Sequence, residues 1–63
     1  MCESTAYFIT KDGLTPIMEN VINAAPAEGG MVFLEDILGD QKTVKGRLKE
    51  IKLLDHKILI EEL

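Results

Sequence analysis

The only cysteine in this chain of 63 residues stands at its second position, in the opening Met1-Cys2-Glu3-Ser4. A thiol beside a chain start has an α-amine one or two residues away, and amine nitrogen with thiolate sulfur forms a compact chelate. Nitrogen and sulfur donors in one plane suit Ni(II) or Cu(II). If Met1 is removed, Cys2 becomes a bidentate N,S ligand by itself. One such ligand fills half of a square-planar ion, and a two-fold dimer would supply the other half. The alternative is a small, inert, buried hydrophobe, as free cysteines often are.

Other residues offer less chemistry. His56 is the only histidine, and its neighbours Asp55 and Lys57 place it in a turn, where a solvated imidazole is the plainer expectation. No Cys-x-x-Cys pair exists, so a tetrahedral structural zinc site within one chain is not expected. Ser4 has no base nearby in sequence. Glu61-Glu62 reads as a solvated end. Gly29-Gly30 lacks the Gly-Lys-Ser/Thr that completes a phosphate loop. No catalytic constellation is present, and the chain does not read as an enzyme.

Charge and composition narrow the function classes. Eleven Asp and Glu against seven Lys and Arg give a net charge of −4. Phosphate contacts supply much of the affinity for nucleic acid, so an acidic chain is a poor candidate for that class. The cations are nevertheless concentrated: Lys42, Lys45, Arg47, Lys49 and Lys52 fall within one segment. Lys45, Arg47 and Lys49 are therefore the candidate contacts for an alternative, RNA-binding reading. The same residues alternate with apolar ones, which also describes the solvated face of a strand or helix. Tyr7, Phe8 and Phe33 are too few for a base-stacking platform. There is no apolar run long enough to cross a membrane and no secretory pattern, so the expectation is a cytoplasmic protein without membrane contact.

The elements that would position these residues are short and often punctuated. A single domain over residues 1–63 is expected, with a core so small that self-association is a natural means of burying surface. Ser4–Thr10 is rich in β-branched and aromatic residues and predicts a strand, followed by a tight turn at Lys11-Asp12-Gly13. Residues 14–24 predict an irregular strand opened by Pro16, although the spacing of Leu14, Ile17, Met18, Val21 and Ile22 also fits a helical stripe. Pro26 and Glu28-Gly29-Gly30 predict a loop, residues 31–38 a strand, and Gly39-Asp40 a turn. In the last third Val44, Leu48, Ile51, Leu54 and Ile58 have helical spacing. Gly46 weakens such a helix by about 1 kcal/mol. The strand reading instead gives residues 44–54 and 57–63, broken at Asp55-His56. Turns every 8–12 residues predict a small barrel or sandwich. The expected fold is all-β, a five-stranded SH3-like barrel with Phe8, Ile9, Ile17, Val21, Val32, Leu34, Val44, Leu48, Ile51 and Ile58 in its core.

Taken together, the Met-Cys-Glu-Ser start, the Lys-Asp-Gly turn, the Gly-Gly with its apolar strand, the Leu-Gly-Asp turn, the Val44-Lys45-Gly46-Arg47-Leu48-Lys49-Glu50-Ile51 segment and the His56-Lys57-Ile58 finish resemble the CooT family of small nickel-binding proteins, some of whose relatives are labelled predicted RNA-binding proteins. The resemblance implies an SH3-like barrel, a homodimer, and Ni(II) held through Cys2 of both subunits. It also implies nickel handling for a nickel enzyme such as carbon monoxide dehydrogenase, or for its maturation proteins. Only Cys2 carries over as a site residue.

Overall fold

The computed structural model describes residues 3–62 and contains five strands: β1 (Ser4–Thr10), β2 (Gly13–Ala27), β3 (Met31–Asp36), β4 (Gln41–Lys52) and β5 (Lys57–Glu62). They follow one another as a meander, β1-β2-β3-β4-β5, and close into a barrel. Each neighbouring pair in the meander is antiparallel. An odd number of alternating strands cannot close without one parallel seam, and here that seam is β1 against β5, from Thr5↔Lys57 to Ile9↔Glu61. The all-β, five-stranded barrel expected from the sequence is the observed fold. Among the described residues no helix is long and apolar enough to cross a membrane.

Two long strands each serve two sheets. The first part of β2 pairs with β1 and its second part with β3. β4 does the same, pairing with β3 through Lys45 and with β5 from Gly46 onward. Each needs a corner. In β2 the corner is Val21, which pairs with both Ser4 and Asp36. Asn20 beside it takes a left-handed conformation, φ 56°, which asparagine tolerates better than most residues. Register shifts against β1 accompany this bend. The extra residue they insert lets consecutive Ile17 and Met18 both pack against the core. The two prolines fit the same division of labour. Pro16 pairs only with β1 and Pro26 only with β3, so neither removes a donor needed on two sides.

In β4 the corner is Gly46. A β-carbon there would lie 2.7 Å from Ile60 Cγ2 and 2.8 Å from the Glu61 carbonyl oxygen. The glycine is required by close approach of β5, not by an unusual φ. Its N–H donates to the Gly30 carbonyl oxygen at 2.9 Å, which fastens the corner to the β2–β3 turn.

The core is Ala6, Val21, Val32, Leu34, Ile58 and Ile60, with Phe8, Ile17, Met18, Ala24, Val44 and Leu48 partly buried around it. Leu34, Ile60 and Val32 are the largest fully buried side chains, each contributing about 1.5–3 kcal/mol by leaving water. Eight of the ten residues expected in the core are in it or against it. Ile9 is not, because side chains alternate along a strand: Ala6 and Phe8 point inward, so Ile9 faces out and is 36% exposed. Ile51 is not, although it pairs with buried Ile58. It lies near the end of β4, at the open mouth of the barrel, and is 49% exposed. Leu59 is buried on the outer face, where its register partners are Tyr7 and Glu50. β5 is thus covered on both faces.

Candidate functional site

Cys2, the residue singled out as metal ligand, lies outside the described residues. The described chain starts at Glu3, and β1 begins one residue later. That start is fastened on both sides. The Thr5 N–H donates to the His56 carbonyl oxygen at 2.9 Å, and Ser4 pairs with Val21. His56 occupies the β4–β5 turn with φ 55° and is exposed. Its N–H reaches the Leu53 carbonyl oxygen at 3.4 Å. Its recorded contribution is through the backbone: it shapes the turn and anchors β1. Among the described residues no group of three or more His, Cys, Asp or Glu side chains is placed to hold a metal ion.

The basic segment falls almost entirely on β4. Val44, Gly46 and Leu48 are its inward positions, so Lys45 and Arg47 share the outer face. Lys49 sits at the register shift between Leu48 and Glu50. Arg47 is committed to an ion pair with Glu61, its register partner on β5. Hydrogen bonding by the guanidinium, and then its charge, hold the Glu61 carboxyl below the ordinary 4.5. Lys42 reaches across the open flank of the barrel, its Nζ donating to the Ile17 carbonyl oxygen at 3.4 Å. Tyr7 lies on β1, separated from β4 by β5. The structure therefore places Lys45 and Arg47 together but partners Arg47 internally, and it brings no aromatic residue of β1 beside them.

A cleft of about 240 Å³ opens where β4 bends away from the β2–β3 turn, lined chiefly by Pro26, Met31, Val32, Gly46 and Leu48. It was not foreseen from the sequence. The only sign of it there is Gly46, whose meaning as a corner depends on β5 lying against it. The cleft sits by Glu62, at the far end of β5 from the chain start.

The class defined by this geometry is a very small β-barrel whose described residues present strand faces, tight turns and an anchored start of β1. Comparison with known proteins gives the class a family. Residues 1–61 match the model of the CO dehydrogenase accessory protein CooT, and the chain belongs to the CooT family. An Archaeoglobus fulgidus protein described only as uncharacterized is 46% identical over 44 residues, covering 70% of this chain and 96% of that one. The crystal structure of a protein assigned as CooT in Carboxydothermus hydrogenoformans superposes with a TM-score of 0.88 at 35% identity, over 98% of each chain. A CO dehydrogenase accessory protein family accords with a role connected to a nickel enzyme.

Proposed function

We propose that this chain is a non-catalytic Ni(II) carrier, a homodimer that holds one ion through Cys2 of both subunits and handles nickel for a nickel enzyme or its maturation proteins. The observation that carries the reading is the family match, which extends to the first residue and so includes the lone Cys2. The chemistry of the donors supports it. Two thiolates with two nitrogens from the chain starts make a four-donor set suited to square-planar Ni(II). Sequence distance supports it too, since Cys2 precedes Ser4 by two residues, a span of at most about 7 Å. The start of β1, which follows it, is anchored by His56 and Val21. Nickel is here the cargo, and the protein does no chemistry on it beyond holding and releasing it.

The test is native mass spectrometry of the untagged protein with and without Ni(II). The expected species is a dimer carrying one ion per two chains. A Cys2→Ser protein that retains wild-type nickel affinity would refute the ligand set. The RNA reading has less behind it: the cations run along one strand, and Arg47 is already paired with Glu61.

A further inference from the structure

The cleft beside the β4 corner is apolar except at one point. Pro26, Met31, Val32 and Leu48 form most of its wall, and the one charged side chain among its lining residues is Arg47. No acidic side chain lines it among the described residues. Its volume of about 240 Å³ falls below the roughly 300–1,000 Å³ of sites that take whole drug-sized ligands. It suits one apolar side chain.

Arg47 has capacity to spare. Its pair with Glu61 runs through Nη2, and a guanidinium carries five N–H donors in a planar fork. The side chain is 68% exposed, so the remaining donors are open to a second acceptor. A carboxylate is the acceptor that such a fork matches best.

The backbone beside the cleft has an open edge. β4 pairs with β3 only as far as Lys45, and from Gly46 onward it pairs with β5. The Gly46 N–H is taken by the Gly30 carbonyl oxygen. Past that bond, the side of β4 turned away from β5 has no strand partner among the described residues. An edge of this kind can take main-chain hydrogen bonds from an extended peptide.

We propose that the cleft receives the last residue of a partner polypeptide, with its apolar side chain beside Pro26 and Leu48, its α-carboxylate on Arg47, and the preceding residues extended along the open edge of β4. A free amino acid fits less well, because its ammonium finds no acid among the lining residues. The site lies at the far end of β5 from the start of β1, and it does not depend on the nickel reading.

The test titrates the full, isotope-labelled chain, metal-free, with a fluorescein-labelled hexapeptide of Ser and Thr that ends in Leu with a free carboxylate. Anisotropy gives the affinity and backbone amide shifts give the location, which should centre on Ala27, Gly46, Arg47 and Leu48. The same peptide as its C-terminal amide, or ending in Gly, should bind at least about tenfold more weakly. Arg47→Gln should cost about as much, and so should Ala27→Trp, which places a bulky ring in the cleft. Glu61→Gln should tighten binding about two- to fivefold, the worth of the exposed pair that it releases. Lys42→Gln, which removes a cation from the open flank, should change nothing. Circular dichroism confirms that each variant is folded. The proposal is overturned if the free-acid peptide does not bind at millimolar concentration, if the amide binds as tightly as the acid, or if the shifts centre elsewhere. Free leucine or 4-methylpentanoate competing at the peptide's own affinity would make this a small-molecule site and would equally defeat it.

Discussion

Replacing Gly46 by alanine should destabilise the barrel, and the size of the effect can be worked from the corner of β4. The new β-carbon would sit 2.7 Å from Ile60 Cγ2 and 2.8 Å from the Glu61 carbonyl oxygen, well inside van der Waals separation. Neither neighbour can withdraw cheaply. Ile60 is completely buried, so swinging its γ-methyl away displaces core side chains. The Glu61 oxygen belongs to the backbone of β5, between β1 and β4. Overpacking of this sort costs about 1–3 kcal/mol. Set against it is the reduced freedom of the unfolded chain, about 0.4–1 kcal/mol in favour of alanine. The net expectation is a loss of roughly 1–2 kcal/mol, which for a domain of this size lowers the thermal midpoint by about 4–16 °C. Thermal and urea unfolding followed by circular dichroism would measure it. Combining the change with Ile60→Ala should cost less than the sum of the two single substitutions, because one of the two clashing atoms is then gone. A Gly46→Ala protein as stable as the parent would show that β5 does not press against this corner, and the account of how β4 turns between sheets would fail with it.

Three further outcomes are expected. Cys2→Ser should abolish tight nickel binding, read by titration and native mass spectrometry, while the parent protein's nickel affinity should rise with pH through the region near pH 8, where an α-amine and a thiol lose their protons. His56→Ala should leave nickel stoichiometry unchanged but lower the thermal midpoint by a few degrees, since alanine is uncomfortable at φ 55°; His56→Gly should recover part of that loss, and a loss of nickel instead would make the imidazole a ligand. Glu61 is held below its ordinary 4.5 by Arg47, so its contribution to stability is fully present above that value and fades as pH falls through the lower folded value; Arg47→Ala should therefore flatten the acid limb of the stability curve, and an unchanged limb in acid titration would count against the pair.

The fold was legible where local chemistry decided it. Ser4–Thr10 emerges from its β-branched and aromatic residues with the bounds it has in the structure, and the turns at Lys11-Asp12-Gly13 and Gly29-Gly30 are set by residues suited to positive φ. It was less legible where partners decide. Phe8 and Ile9 look equally apolar, and only the register against β2 and β5 sends one in and the other out. Residues 44–54 carry helical spacing, yet the segment is strand as far as Lys52, because β3 and β5 flank it in turn, and Leu53 and Leu54 fall in the turn that follows. Gly46 reads in sequence as a weak point in a helix, whereas its function as a corner exists only once Ile60 lies over it. Cys2 is a candidate from its position alone and lies outside the described residues; the cleft beside Gly46 was not legible, since Pro26 and Leu48 are distant in sequence and line it together only once β2, β3 and β4 are paired.

The parallel seam has a consequence for how the protein comes into being. Thr5 finds its partner at Lys57 and Ile9 at Glu61, so β1 must wait for β5. Every other pairing in the barrel can form between consecutive strands as they are made, but closure requires nearly the whole chain, and pairings so far apart in sequence are slow to form. The same hydrogen bond between Thr5 and His56 that anchors the chain start belongs to this late event. A chain cut before β5 would leave β1 without its second neighbour, so the start of β1 gains its second anchorage only once β5 has been made.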